Sequence, residues 1–199
     1  IPANFTVNII CDDFLTHHFD CKYDLVVGNP PFSKLRGDLS KYEVVLARNV
    51  NQDTKDLAEL FLEKCMSISS CVALVLNKTL LTTDEYAATR ELLRRNRITA
   101  ILDFGRYGFT GVSIETMCLI VEPKKSPRET LVYNMKHNRL ETVEQHHITD
   151  RRFPYFIIYR DEAFDKVANK MHFGVFNVVR DRQITKKQLV AEPGLDRIR

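Results

Sequence analysis

The sequence lacks the features that would mark a membrane protein, a secreted protein or a zinc protein. No apolar stretch is long enough to span a bilayer, and the N-terminus has neither the basic start nor the apolar run of a secretory signal. The five cysteines are odd in number and include no C-x-x-C pair, and the six histidines form no H-x-x-x-H pattern. These absences argue against a disulfide framework and a zinc site, and they favour reduced cysteines in an intracellular protein.

The chain also lacks an initiator methionine, internal repeats and low-complexity tracts. From the missing methionine we expect the chain to be part of a longer gene product. Its 199 residues are 44% hydrophobic and 28% charged, which is typical of a globular protein with one substantial core.

Charge is distributed unevenly along the chain. Residues 1–123 carry 13 Lys and Arg against 16 Asp and Glu, whereas residues 124–199 carry 16 against 10. A basic C-terminal part suits a polyanionic partner, although an ordinary solvated surface has the same composition.

Hydrophobic patterns predict alternating strands and helices in the first 123 residues. Strands are predicted at residues 7–11, 23–27, 72–76, 98–104 and 115–121, and helices at residues 57–68 and 83–97. The run at residues 23–27 is apolar enough to be buried on both faces. Residues 33–55 are polar and show no strong periodicity, which is typical of a functional or disordered loop.

This alternation indicates an α/β fold, a doubly wound sheet with mainly parallel strands. The last two predicted strands are joined by a connection too short for a helical crossover, so they should run antiparallel. Pro123 and Pro127 bracket a basic break, where we place a domain boundary. Ligands bind at the carboxyl ends of the strands in such sheets, and Asn29-Pro30-Pro31-Phe32 follows one strand at this position.

The turn from Asn29 to Phe32 offers hydrogen-bond acceptors beside an aromatic ring. The exocyclic amine of a base such as adenine is a poor nucleophile, because its lone pair is delocalised into the ring. The side-chain oxygen of Asn29 and the backbone carbonyl of Pro30, held by the stiff Pro-Pro turn, can accept from this amine and free its lone pair for methyl transfer. Phe32 can stack on a base removed from a duplex. The alternative is a turn that merely ends a strand.

Residues 24–32 resemble the catalytic motif of the amino-group DNA methyltransferases, and Asp13-Phe14-Leu15 is similar to the adjacent motif of that family. Residues 57–62, 72–78 and 103–116 resemble later parts of the γ-class N6-adenine enzymes of restriction–modification systems. The resemblance implies a portion of a Rossmann-like, S-adenosylmethionine-dependent methyltransferase sheet with a terminal antiparallel strand, followed by the start of a second region.

The resemblance also implies roles for single residues. Those implied to be catalytic are Asn29, Pro30, Pro31 and Phe32. Asp13, Phe14 and Pro31 are implied to bind the adenine end of S-adenosylmethionine, with Asp12 as a competing carboxylate. Phe109 is implied to stack on the flipped base opposite Phe32, although a lone loop aromatic is also typical of a core. Residues 178–187 are similar to the start of a target-recognition region, and a solvated basic hairpin is an equal interpretation. The expected DNA-binding residues are Lys34, Arg36, Arg180, Arg182, Lys186 and Lys187.

One element that the resemblance implies is missing. Such enzymes carry a Gly-rich loop that holds the methionine part of the cofactor, but the seven glycines of this chain include no G-x-G. The acidic residue that binds the ribose has no candidate either. Both lie upstream of the Asn-Pro-Pro-Phe motif in the γ order, so we expect a fragment that begins after them and is inactive in isolation.

We therefore expect residues 1–123 to be the C-terminal part of a catalytic domain, and residues 124–199 to be a basic extension leading into a DNA target-recognition region. The implied function is site-specific adenine-N6 methylation of double-stranded DNA in the cytoplasm of a prokaryote, with a restriction endonuclease domain or subunit as an associated partner. Three alternatives stay open: an RNA guanine-N2 methyltransferase, a protein glutamine-N5 methyltransferase, and a non-catalytic DNA-binding subunit with a truncated methyltransferase fold.

Overall fold

The computed structural model describes residues 6–106, 108–109 and 114–175. Within them the strands are β1 (Val26–Gly28), β2 (Val72–Asn77), β3 (Arg97–Gly105), β4 (Thr116–Glu122), β5 (Glu129–Asn134) and β6 (Arg139–Glu144). The α-helices are α1 (Glu43–Arg48), α2 (Leu57–Ile68), α3 (Ala87–Arg94), α4 (Gln145–Ile148) and α5 (Glu162–Ala168). The chain divides into two compact units, Ile1–Asp161 and Glu162–Arg199. The first contains the six strands and α1 to α4, and the second contains α5.

The six strands form one mixed sheet in the order β1-β2-β4-β3-β5-β6. β1 pairs with β2 in parallel, and β3 pairs with β5 in parallel. β4 lies between β2 and β3 and runs antiparallel to both, and β6 is antiparallel to β5. The structure confirms the predicted α/β class and the antiparallel pairing of the strands at residues 98–104 and 115–121. Because β1, β2, β3 and β5 share one direction, their carboxyl ends lie along one edge of the sheet.

Helix α2 has the bounds that its sequence pattern predicts. Asp56 caps its first turn, because the Asp56 Oδ1 atom accepts from the backbone N–H of Glu59 at 3.2 Å. Ala58, Leu62 and Cys65 are buried along one face, which packs beside β2. Their spacing of three to four residues is the helical period that the sequence pattern contains.

The core of the first unit is apolar and continuous from the sheet into the helices. Its fully buried side chains include Leu62, Leu74, Leu93, Ile98, Ile101, Met117 and Leu119. Each such side chain contributes about 1.5–3 kcal/mol relative to an exposed one. Arg90 of α3 is also buried, and its guanidinium donates to the backbone carbonyls of Leu80, Thr83 and Pro154. The residue therefore ties α3 to the turn before it and to the segment that follows α4.

Three predictions about the first half of the chain are wrong in part. Residues 7–11 form no strand and are exposed, with Ile9 90% exposed; within the described residues they pair with no strand of the sheet. β1 begins at Val26 instead of residue 23 and is not buried on both faces, because it lies at an edge of the described sheet and leaves Val27 70% exposed. The polar segment 33–55 is not a continuous loop, since it contains α1.

The chain continues the same sheet after residue 124. β5 and β6 follow the Pro123–Pro127 break and pair into the sheet beside β3, so this break lies between two strands of one compact unit. The division of the chain into units falls instead at Asp161. No helix in the described parts of the chain is both long and apolar enough to cross a membrane.

Candidate functional site

The predicted catalytic turn lies at the carboxyl edge of the sheet. Gly28 ends β1 and is paired with Leu74 of β2, and a Cβ atom at Gly28 would lie 3.1 Å from the Leu74 side chain. Asn29 follows directly and is exposed, whereas Pro30 is buried. Among the described residues the Asn29 side chain makes no hydrogen bond, so its carbonyl oxygen is a free acceptor. Phe32 is half-buried and packs against the core.

The chain that leaves the turn is held against the start of α2. The backbone carbonyl of Ser33 accepts from Leu57 N–H at 2.8 Å, and Leu35 N–H donates to the Lys55 carbonyl at 2.8 Å. Residues 33–57 therefore form an excursion whose two ends are paired with each other, immediately after the catalytic turn.

Asp13 lies on a short turn, and its side-chain carboxylate receives three hydrogen bonds. Its Oδ1 atom accepts from Leu15 N–H at 3.1 Å, and its Oδ2 atom accepts from Lys41 Nζ at 2.7 Å and from the Tyr42 hydroxyl at 2.6 Å. The hydrogen bond from Lys41, and to a smaller extent the one from Tyr42, holds the pKa of Asp13 below its ordinary value. A carboxylate has about four acceptor positions, so one position of Asp13 is left for a further donor.

Asp12, the competing carboxylate, has a different set of partners. Its Oδ2 atom lies 2.7 Å from His17 Nδ1, and this hydrogen bond is the main cause that lowers the pKa of Asp12. The two neighbouring carboxylates thus make separate contacts. Asp13 binds residues of the excursion after the catalytic turn, whereas Asp12 binds a residue of its own turn.

The Asp13 turn is fastened to α2 by aromatic rings and by one lysine. Phe14 stacks on Phe61 with ring centroids 4.6 Å apart, and it packs against the core. Lys64 Nζ donates to the carbonyls of Leu15 and His17 at 2.7 and 2.6 Å. Burial lowers the pKa of Lys64 from its ordinary value. The Phe14 ring also lies near Phe19, with ring centroids 5.5 Å apart, and the Lys64 ammonium lies over it at 5.6 Å, so contacts within the protein hold the ring on several sides.

Two of the residues predicted to contact DNA lie on the excursion after the turn. Lys34 is ion-paired with Glu85, and this contact is the main cause of the lowered pKa of Glu85. Arg36 is exposed. The other four predicted residues, Arg180, Arg182, Lys186 and Lys187, lie outside the described residues.

Phe109 lies on the connection from β3 to β4, and both strands reach the carboxyl edge. The residue before it, Gly108, is packed so closely that a Cβ atom there would lie 2.8 Å from Thr116 Oγ1 and 2.9 Å from Phe104 Cβ. This contact keeps Gly108 beside the ends of β3 and β4, and Phe109 is half-buried. The catalytic turn and Phe109 thus follow strands that end along the same edge of the sheet.

Sequence reasoning missed a buried polar network behind the excursion. Glu59 of α2 is 1% exposed; its carboxyl oxygens accept from Asn49 Nδ2 and from the Thr89 hydroxyl, each at 2.9 Å. Glu63 accepts from the backbone N–H groups of Val50 and Asn51. An acidic residue on the apolar face of α2 was the available signal, because a buried carboxyl requires partners.

The fold is similar to those of solved methyltransferase structures. The fold is similar to that of a type I restriction-modification methyltransferase subunit from Streptococcus thermophilus, with a TM-score of 0.50 and 18% identity over 79% of this chain and 34% of that one. The M protein of the type I restriction enzyme EcoKI aligns at a TM-score of 0.45 and 18% identity, over 73% of this chain and 34% of that one. The chain spans about a third of the length of each.

The sequence model of the Eco57I restriction-modification methylase family matches residues 4–109. This is more than half of the chain, and the chain belongs to that family. No curated protein sequence matches the chain.

Proposed function

We propose that this chain is the catalytic-motif portion of a site-specific DNA adenine-N6 methyltransferase, the modification component of a restriction–modification system. The observation that carries the proposal is the Asn29–Phe32 turn: it directly follows β1 at the carboxyl edge of the sheet, and the Asn29 side chain is exposed and unbonded within the described residues. Membership of the Eco57I family supports the reaction class.

The turn supplies two acceptors and a stacking surface. Asn29 Oδ1 and the Pro30 carbonyl accept from the two N–H bonds of an extrahelical adenine amine, which draws its nitrogen toward tetrahedral geometry and frees its lone pair. Neither group is a strong base, and none is needed before the methyl group arrives. Phe32 stacks on one face of the base, and Phe109 on the other. Each such stack is worth about 1–3 kcal/mol, which offsets the cost of extracting the base.

The cofactor in this proposal is S-adenosylmethionine, which supplies the methyl group from a sulfonium centre. Asp13 fits its adenine amine, because one acceptor position of the carboxylate remains after the bonds from Leu15, Lys41 and Tyr42. Pro31, within the catalytic turn, is exposed and packs on the adenine ring together with Phe14. The methionine and ribose ends need a Gly-rich loop and an acidic residue, for which this chain has no sequence candidate.

We infer that those missing contacts are carried by a strand that pairs with the outer edge of β1. The two edges of the described sheet differ in charge: β6 carries Arg139, Glu141 and Glu144 besides the exposed Leu140, whereas Val27 of β1 and Leu25 just before it are apolar and exposed. Charged edge strands resist pairing, and bare apolar ones invite it. On this basis the isolated chain binds S-adenosylmethionine weakly and is inactive. Titration calorimetry giving micromolar affinity for the isolated chain would disprove this inference.

The DNA target is recognised elsewhere in this proposal. Residues 124–199, whose first part completes the sheet with β5 and β6, lead into the target-recognition region. There Arg180, Arg182, Lys186 and Lys187 contact phosphates, joined by Lys34 and Arg36 near the catalytic turn. Phosphate contacts position a protein without specifying sequence. A restriction endonuclease domain or subunit is the associated partner, and the protein works in the cytoplasm of a prokaryote.

The test is an Asn29→Ala substitution in the longer enzyme that carries this chain. Methyl transfer should fall by about 100-fold or more, the scale of losing one preorganised polar contact to the reacting group, while the dissociation constant for duplex DNA stays the same. Asn8→Ala is the matched control, because Asn8 is exposed and distant in sequence from the turn. Digestion of the product should yield N6-methyladenine.

Other outcomes would correct the proposal in specific ways. Unchanged turnover in Asn29→Ala would refute the catalytic role of the turn. A methyl group found on a guanine of RNA or on a glutamine of a protein would show that this molecule, and not DNA, is the substrate. An enzyme that binds DNA but never S-adenosylmethionine would be a non-catalytic subunit.

A further inference from the structure

A lysine at the carboxyl edge joins the two ends of the segment that carries Phe109. Lys78 directly follows β2, and its ammonium lies 2.7 Å from Asp103 Oδ2 and 3.6 Å from Glu115 Oε2. Asp103 lies near the end of β3, and Glu115 directly precedes β4. The backbone N–H of Lys78 also donates to the Glu115 carbonyl at 2.9 Å. The residue therefore touches the chain both before and after Phe109.

Asp103 is the buried centre of this contact. It is 5% exposed, and its Oδ2 atom accepts from the Tyr159 hydroxyl at 2.6 Å as well as from Lys78. Its Oδ1 atom accepts from Gly105 N–H at 3.0 Å. Both carboxylate oxygens are thus bonded, and a charge-assisted network of this kind is strong in a buried setting.

The network fixes the direction in which the chain leaves β3. Gly105 has a φ of 54°, a left-handed conformation that glycine adopts without steric cost, and its N–H is held by Asp103. Three residues later, Gly108 lies against Phe104 and Thr116 without room for a Cβ atom. The backbone on the N-terminal side of Phe109 is therefore held at two successive points, and Lys78 links the first of them to Glu115.

We propose that Lys78 is a positioning residue for base capture, acting through Asp103 and Glu115 to hold Phe109 where it stacks on the extrahelical base. Lys78 touches neither base nor cofactor in this role. The inference rests on the proposed function, because it takes Phe109 as the second stacking ring.

Two features separate this role from general stability. The ammonium bridges two carboxylates from opposite ends of one connection, rather than two distant elements. The network also lies at the same edge of the sheet as Asn29.

The experiment measures base extrusion and DNA binding separately in the longer enzyme. A duplex with 2-aminopurine in place of the target adenine reports the extrahelical base by fluorescence. Lys78→Met should lose most of the fluorescence rise and lower turnover about 10- to 100-fold, since displacing a reacting group by about 1 Å costs that much. The dissociation constant for DNA should change less than twofold. Lys78→Arg should restore both signals, because a guanidinium donates to two carboxylates.

Two further variants keep the test decisive. Lys136→Met is the matched control, an exposed lysine that follows β5 at the same edge, and it should behave as wild type. Tyr159→Phe serves as the test if Lys78→Met does not fold. It removes only one hydroxyl from Asp103, so its loss of fluorescence should be smaller than the loss expected for Lys78→Met. In Lys78→Met the amides of residues 104–106 should also exchange faster with solvent.

The outcomes distinguish this inference from the proposed function. Loss of fluorescence in both Lys78→Met and Phe109→Ala, with a double variant no worse than Phe109→Ala alone, supports the inference. A loss in Phe109→Ala with wild-type fluorescence in Lys78→Met overturns it and leaves the proposed function intact. Wild-type base capture in Phe109→Ala removes the stacking role of Phe109, and this inference falls with it.

Discussion

Glu59 offers a stability test that follows from its burial. The residue is 1% exposed on α2, and burial, together with the nearby Glu63, raises its pKa to about 9. The ordinary value in an unfolded chain is 4.5. The folded protein therefore keeps Glu59 protonated at neutral pH, whereas the unfolded chain ionises it. Because the unfolded state then binds fewer protons, stability falls as pH rises.

The size of the effect follows from the two pKa values. Below about pH 4.5 the carboxyl is neutral in both states, and its ionisation contributes nothing to the free energy of unfolding. Between 4.5 and 9 each pH unit removes about 1.4 kcal/mol from the free energy of unfolding. At pH 7 the accumulated cost is about 3 kcal/mol. Above pH 9 both states are ionised, and the dependence on pH stops.

A Glu59→Gln variant removes this ionisation at nearly the same side-chain volume. The amide oxygen accepts from Asn49 as the carboxyl does, whereas the contact with Thr89 reverses, because the amide NH₂ donates where the carboxyl accepted. Urea unfolding from pH 5 to 8.5 should show a stability difference between variant and wild type that grows in favour of the variant as pH rises. Glu144→Gln, on the exposed edge strand β6, should track wild type throughout.

The difference between variant and wild type cancels the titration of the groups that do not interact with Glu59. If Glu59→Gln and wild type show parallel stability curves over this range, the carboxyl is ionised in the folded protein and the argument from burial is wrong. A variant that is less stable at every pH would show that the amide does not replace the carboxyl in the network.

Three more predictions concern single contacts. Arg90→Met should lower the free energy of unfolding by about 3 kcal/mol in urea titrations, because three backbone carbonyls, of which that of Leu80 is buried, lose their donor; wild-type stability would show that water replaces it. Gly108→Ala should cost about 1–3 kcal/mol through overpacking against Phe104 and Thr116, and a neutral result would mean that the β3–β4 connection yields freely. Lys64→Met should loosen residues 13–17, measured as faster amide exchange there than elsewhere, because two carbonyls lose their shared donor; uniform exchange across the chain would contradict this.

The sequence by itself determined the elements that depend on local patterns. The spacing of apolar residues predicted α2 at its observed bounds, and continuous apolar runs predicted β2, β3 and β4 within a residue or two. The short connection between β3 and β4 predicted their antiparallel pairing. The place of the Asn-Pro-Pro-Phe turn, directly after a strand, also followed from sequence, since Gly28 and two prolines end the strand there. These features follow from chain neighbours and from short-range backbone geometry.

Tertiary structure alone decided the contacts that link distant segments. Asp103 meets Lys78 across 25 residues and Tyr159 across 56, and Glu59 meets Thr89 across 30; no periodicity in the sequence relates such positions. The edge position of β1 likewise depends on which strands pair, so the run at residues 23–27, apolar enough for a buried strand, is mostly exposed. A side chain's partners are set by how helices and strands pack, and packing is a property of the whole sheet rather than of any segment within it.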